Sequence, residues 1–373
     1  MTRSSASSGI STARPSASTA HSPTSPPRRL AQPDRKRNSP TMNNHWYIGS
    51  PSSQLGSAPI ATRIFDEPIA LYRDRDGRAF ALEDRCCHRG VQLSKGCVTD
   101  SGRIACAYHG WEYDGDGRCA HVPSFVAGTR IPDGFKVKSY PVREQDHYVW
   151  IWMGDRAPEG APPRIPGAHD YAWRQGHVHV ACNATTFLEN MLDGAHAVFT
   201  HKGAHPSYFF NVLNGFKEYE YEVRVTDTGF TLFYPPTSDE SEPIPAHADS
   251  RATFELPDRA IIFQKGLRTD FFNVIHMVPT GATTCRVEWL TRQPGDEPMV
   301  EWCDDEPRTL EQDRVLQESA QRNYSRAGAA FERHVPADYA TLLVRKILEL
   351  AAKGEWPAQR HTLVARKLVL VRQ

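Results

Sequence analysis

Cys86-Cys87-His88-Arg89-Gly90 and Cys106-Ala107-Tyr108-His109-Gly110-Trp111 decide how this chain is read. Each run places one cysteine and one histidine on a single short loop, as C-x-H and then C-x2-H, with seventeen residues between His88 and Cys106. Two thiolates can anchor one iron of a [2Fe–2S] cluster and two imidazoles the other, and imidazole in place of thiolate raises the cluster's potential. Gly90, Gly96 and Gly110 give the backbone freedom that lets loops close tightly around such a group. The bland alternatives are a zinc site or four unrelated residues. Zinc sites with two Cys and two His usually pair like with like, whereas each pair here is mixed.

Outward from these runs, residues 45 to 155 alternate short apolar runs with turns. Ile69 to Arg73 and Ala79 to Glu83 flank Asp76-Gly77, Tyr113 is followed by Asp114-Gly115-Asp116-Gly117, and His147 to Met153 closes the segment. Asp-Gly between alternating apolar runs is a strong hairpin signal. A small all-β domain over 43–155 is expected. Four prolines and two glycines from Gly154 to Pro166 break the periodicity and mark a linker.

A second domain, 156–373, is expected to be α+β around an antiparallel sheet. Helices are read at about 184–201, 305–327 and 338–352. Strands are read at Tyr219 to Val225, Phe230 to Tyr234, Ala260 to Gln264, Val274 to Val278 and Cys285 to Leu290. Its first helix carries Asn190-Met191-Leu192-Asp193-Gly194-Ala195-His196-Ala197-Val198-Phe199-Thr200-His201. Two histidines and a carboxylate make the facial triad of non-haem Fe(II) oxygenases, which leaves positions for O2 and substrate. Five residues turn an ideal helix by about 140°, so the two imidazoles converge only where the helix bulges or ends. Gly203 and Pro206 end it just afterwards. Taken alone, H-x4-H is more often a pair of surface or satisfied core residues.

Together these motifs resemble the Rieske non-haem iron oxygenases, and the Cys-Cys-His-Arg run with Tyr72-Arg73-Asp74-Arg75-Asp76-Gly77-Arg78 resembles the vanillate O-demethylase-like, aromatic-ring-hydroxylating group. Rieske proteins of respiratory complexes have an extra cysteine on each loop, where this chain has Val91 and Tyr108. Most relatives have proline at Cys87, and Cys86 is kept as the ligand.

The resemblance implies an N-terminal Rieske [2Fe–2S] domain followed by a helix-grip catalytic domain. It implies one [2Fe–2S] cluster per subunit on Cys86, His88, Cys106 and His109. It also implies a mononuclear Fe(II) on His196, His201 and a carboxylate from a late helix, where Glu311-Gln312-Asp313-Arg314 offers Asp313, with Glu318 in reserve. The competing reading of Asp313 is a solvated acidic face shared with Asp304, Asp305, Glu306, Glu311 and Glu318. Asp193 is implied to bridge a Rieske histidine of one subunit and an iron histidine of the next; a helix-start acid is the alternative. Asn190 is a further candidate, or a capping or packing residue.

The implied activity is that of an oxygenase component, a monooxygenase or dioxygenase acting with O2 on a small aromatic or polycyclic substrate by hydroxylation or oxidative demethylation. The alternatives are a desaturase or secondary-metabolite tailoring oxygenase, and a pure electron-transfer protein, for which the residues after Pro166 would be superfluous. No G-x-G-x-x-G fingerprint occurs, so a separate reductase or ferredoxin is expected as donor, within a homotrimer passing electrons between subunits. Phe209, Phe210, Phe271, Phe272, Arg251 and Arg268 are candidates for the pocket, equally readable as core or surface.

Lysines plus arginines equal aspartates plus glutamates at 44 each, so nothing favours nucleic acid as partner. No apolar run reaches the roughly twenty residues that cross a bilayer, so no membrane association is expected. Eight scattered cysteines suit a reducing compartment, and the cytoplasm is the default. Cys97, Cys119, Cys182, Cys285 and Cys303 read as buried small hydrophobes. Residues 1 to about 42, rich in Ser, Thr, Pro, Ala and Arg, cannot pack; they read as a disordered tail or a mis-set start, with an organellar transit peptide as the third possibility.

Overall fold

The computed structural model describes residues 42–169, 172–202, 218–234, 250–264, 271–293 and 306–372. Gly203, Pro206, Phe209, Phe210, Arg268, Cys303, Asp304, Asp305, the Phe271 side chain and residues 1–41 lie outside the described residues.

The N-terminal half is built from three small antiparallel sheets. One pairs His45–Pro51 with Tyr148–Met153 and Val142–Gln145. A second runs Ile60–Ile64, Glu67–Arg73, Ala79–Glu83, Ser139–Tyr140. The third holds Cys97–Val98, Ile104–Ala105, Glu112–Tyr113 and Cys119–His121. The Asp-Gly signals are turns: Asp74 Oδ1 accepts from the amides of Asp76 and Arg78, and Asp114 Oδ1 from those of Asp116 and Arg118.

In the second half an eight-stranded antiparallel sheet runs in the order Ala172–Val180, Thr284–Gln293, Phe271–Gly281, Arg259–Gln264, Ser250–Glu255, Gly229–Tyr234, Glu218–Val225, Arg366–Arg372. Among the described residues the α-helices are α1 (Ala184–Met191), α2 (Ala197–Thr200), α3 (Glu306–Ala327) and α4 (Tyr339–Ala352). The α+β reading holds, with three strands added: Ala172–Val180, Ser250–Glu255 and Arg366–Arg372.

One expectation needs correction. The helix expected over 184–201 is two helices, and the break precedes His196 instead of falling between the histidines. Asp193-Gly194 causes it: Asp193 Oδ1 accepts the Ala195 amide at 2.8 Å, a local turn that competes with the helical ladder. Cys97 is also exposed, while Cys119, Cys182 and Cys285 are buried as expected.

Packing joins the halves. Trp150, Ile151 and Trp152 belong to the same hydrophobic core as Phe187, Ile275, Val287 and Val344, while a smaller core lies under the two cysteine loops. Arg286 donates to Ile48 O at 2.7 Å, Gly49 O at 3.1 Å and Thr62 Oγ1 at 2.8 Å while its Nε holds Glu288 at 2.6 Å. A buried guanidinium is tolerable because its donors are satisfied in this way. The turn residues Phe65 and Asp66 donate their amides to Pro279 O and Thr280 O. The proline-rich linker is pinned as well, since Asp146 accepts the Ile165 amide at 2.8 Å and Arg164 at 3.0 Å.

Candidate redox and metal centres

The two cysteine loops are built alike. In the first, the Cys86 amide donates to Val91 O and the Gly90 amide to Cys86 O; in the second, the Cys106 amide donates to Trp111 O and the Gly110 amide to Cys106 O. Gly90 and Gly110 close the loops with φ of +75° and +69°, a left-handed conformation that other residues adopt at a cost. Asp84, buried behind the first loop, accepts from Gln92, the Ser94 amide and the Ser94 hydroxyl.

The four side chains converge with a consistent polarity. Cys86 and Cys106 are buried, and their sulfurs lie within hydrogen-bonding reach of each other; burial, opposed by the Tyr108 amide and reinforced by Cys86, raises the Cys106 thiol above its ordinary range. His88 and His109 are exposed, with ring centroids 4.6 Å apart. His88 stacks on Trp111 at 4.5 Å and 6°, and Trp111 on Phe135 at 5.1 Å. Slight desolvation, then the charges of His109 and Arg89, hold His88 below its ordinary pKa, which suits a neutral imidazole donor. Two buried thiols and two outer imidazoles fit a [2Fe–2S] cluster with one iron inward and one at the surface. Tyr113, directly after the second loop, has its hydroxyl 3.0 Å from Cys86 Sγ.

The second centre lies at the ends of α2 and on α3. His196 caps the start of α2 and His201 its end, where the backbone unwinds (φ −101°, ψ 46°). The segment between them is helical, the Thr200 amide donating to His196 O and the His201 amide to Ala197 O, so it is the side chains that converge. One donor atom each from His196, His201 and Asp313 lies within 4.8 Å of the others. Asp313 Oδ1 stands 3.4 Å from His196 Nε2 and 3.3 Å from His201 Nε2, is fully buried, and has no hydrogen-bond partner.

Hydrogen bonds fix which nitrogen each ring presents. His196 Nδ1 donates to Asp193 O at 2.6 Å, and His201 Nδ1 to Gln312 Oε1 at 2.9 Å. Both rings thus turn Nε2 toward Asp313. Burial lowers the pKa of His196, but Asp313 and Asp193 more than offset it and the net shift is upward; burial likewise opposes ionisation of Asp313, yet the two histidines bring it down to about 2. A carboxylate oxygen without a partner beside two oriented imidazoles fits a two-histidine, one-carboxylate metal site.

Asn190 and Asp193 border this centre. Asn190 Nδ2 is 3.5 Å from His196 Nε2, and its Oδ1 accepts Gln317 Nε2 at 2.7 Å. The Asp193 carboxylate caps its own turn and lies 3.9 Å from His196 Nδ1. Glu318 is engaged elsewhere, accepting from the Ala181 amide and Arg314. Gln312 and Gln317 are the contacts that sequence reasoning missed. Of the pocket candidates, Phe272 packs edge-on against Trp173 and Arg251 lies over the Phe263 ring.

Residues 45–141 match the Rieske [2Fe–2S] domain and residues 180–354 the vanillate O-demethylase oxygenase C-terminal domain. The chain belongs to the Rieske oxygenases, and its N-terminal domain is of the kind that carries a [2Fe–2S] cluster. It is 40% identical over 165 residues to the oxygenase component of dicamba O-demethylase from Stenotrophomonas maltophilia, covering 43% of this chain and 48% of that one. It is 34% identical over 164 residues to the vanillate O-demethylase oxygenase subunit of a Pseudomonas species, covering 42% and 44%. The chain thus spans about half or less of the length of these curated relatives. The crystal structure of dicamba monooxygenase bound to 3,6-dichlorosalicylic acid superposes with a TM-score of 0.70 at 26% identity, over 84% of this chain and 98% of that one. Among the described residues no helix is long and apolar enough to cross a membrane.

Proposed function

We propose that this protein is the oxygenase component of a multicomponent system that hydroxylates or oxidatively demethylates a small aromatic substrate with O2. Cys86, His88, Cys106 and His109 hold the cluster, and His196, His201 and Asp313 hold Fe(II). The observation that carries this reading is the unpartnered Asp313 Oδ1 between two imidazoles whose Nδ1 atoms are already committed. Bound there, Fe(II) would supply O2 activation at positions that three protein ligands leave open.

The chain's own residues prepare that chemistry. Gln312 and the Asp193 carbonyl keep both imidazoles in the tautomer that presents Nε2. Asn190, held by Gln317, places an amide beside His196. For an aryl methyl ether the balance is ArOCH3 + O2 + 2 e⁻ + 2 H⁺ giving ArOH, formaldehyde and water, with the electrons supplied singly by a reductase or ferredoxin.

Residues 43–155 serve as the electron-transfer domain and 156–373 as the catalytic domain. The exposed His88 and His109 edge suits transfer to another subunit of a homotrimer, with the Asp193 carboxylate, partly exposed, as the bridge. The free thiols of the described residues suit a reducing, cytoplasmic setting. The test supplies the iron-loaded protein with a reductase, ferredoxin and a panel of methoxy-aromatic acids, and measures formaldehyde and labelled oxygen in the product. Formaldehyde or hydroxylated product is expected with at least one substrate class. Full iron loading and cluster reduction without O2 consumption on any panel member would overturn the reading.

A further inference from the structure

A cavity of about 180 Å³ lies at the seam between the two halves, and none of the residues placed at either metal centre lines it. Met42, Tyr47 and Phe65 from the first half and Leu188, Met277 and Leu348 from the second give it apolar walls. Its charged lining residues are Asp66, which is exposed, and Asp258; no lysine or arginine lines it.

Asp258 is the unusual member. It is 4% exposed, its Oδ1 accepts His276 Nδ1 at 3.1 Å, and its Oδ2 is buried with no hydrogen-bond partner. Among the described residues no lysine or arginine pairs with it. Leaving a carboxylate oxygen dry and unpaired is costly, so the position suits a donor that the chain does not supply. The charge is felt across the seam: burial first, and Asp258 second, hold the Tyr47 hydroxyl well above its ordinary range.

We propose that this cavity is a second small-molecule site, taking an apolar amine or amidine whose N–H groups reach the Asp258 carboxylate and whose hydrocarbon body lies among Leu188, Met277 and Leu348. The size follows from the volume. An apolar cavity of roughly 150 Å³ takes benzene, so this one takes a ring with one short substituent. The charge follows from the lining: two carboxylates without a lysine or arginine favour a cation and reject an anion, which separates this site from one that accepts aromatic acids. An occupant touches both halves at once, so it stabilises them jointly in proportion to its occupancy.

Calorimetric titration of the full-length, iron-loaded protein at neutral pH with benzylamine, and separately with benzoate, tests this. One saturable site for benzylamine and none of comparable affinity for benzoate are expected, with benzylamine bound at least about tenfold more weakly by Asp258→Asn. No saturable binding of benzylamine, benzoate bound as well as benzylamine, or undiminished affinity in Asp258→Asn would overturn the proposal. If Asp258→Asn does not fold, the methyl resonances of Met42 and Met277 in isotope-labelled wild type decide: benzylamine must shift both and benzoate neither, or the proposal fails. Asp313→Ala should bind benzylamine as the wild type does. Loss of binding there would make the cavity part of the iron centre and overturn its standing as a separate site.

Discussion

Gln312 and His201, 111 residues apart in the chain, meet at 2.9 Å, the amide oxygen accepting the Nδ1–H of the imidazole. The neighbour of Gln312 in sequence is Asp313, so one turn of α3 supplies both the carboxylate and the group that orients one imidazole facing it. Such outer contacts typically carry ten- to a hundredfold in metal affinity. Gln312→Ala is therefore expected to weaken Fe(II) binding by about one to two orders of magnitude while leaving the cluster's absorbance alone. Iron titration of the metal-stripped protein measures it, and unchanged affinity would show that His201 is oriented by packing.

Asp313→Ala should remove the mononuclear iron and oxygenation together, with the visible spectrum of the cluster retained. Separate assays for chelatable iron and for absorbance distinguish the two pools. Mononuclear iron that stayed in place would remove Asp313 from the ligand set.

His109→Ala should do the reverse, abolishing the cluster spectrum through loss of an outer ligand. The two cysteine loops close on their own backbone hydrogen bonds, so the far-UV circular dichroism should stay near that of the wild type. A persisting red-brown spectrum would mean that the outer iron is held differently.

Glu144 accepts both terminal nitrogens of Arg73, at 2.7 and 2.6 Å, and this guanidinium first, against partial desolvation, holds its carboxyl below the ordinary 4.5. A depressed carboxylate contributes stability above its unfolded pKa and loses it as pH falls through the folded one. Glu144→Gln should thus be less stable than wild type near neutrality, by under about 1 kcal/mol for so exposed a pair. The gap should close in acid, once pH has fallen below the carboxyl's lowered folded value. Urea unfolding at both pH values is the measurement; a gap that persisted in acid would mark the contact as packing.

The cluster loops were legible because each is local: Cys86 to Gly90 and Cys106 to Gly110 close within five residues, and spacing alone carries the geometry. His196 and His201 were legible as a pair, but their convergence was not, because it depends on the groups that orient each ring, the Asp193 carbonyl for His196 and the distant Gln312 for His201. Asp313 stood out only through the resemblance of its surroundings; burial separates it from exposed acids nearby such as Glu311. Gln312 and Gln317 left no signal, since their partners lie 111 and 127 residues away. The strand Arg366–Arg372 was missed for a similar reason: its one partner in the sheet, Glu218–Val225, is remote in sequence.

The common core of Trp150, Ile151, Phe187 and Ile275, with Arg286 reaching across to Ile48 and Gly49, bears on how such proteins can be recombined. A chimera that grafts the cluster-bearing half of a relative onto this catalytic half would cut through a single packed interior, so the incoming strand must bring its carbonyls to Arg286 and its side chains to this core in the same register. The two halves are therefore exchanged most safely together, with the strand His45–Pro51 kept beside Arg286.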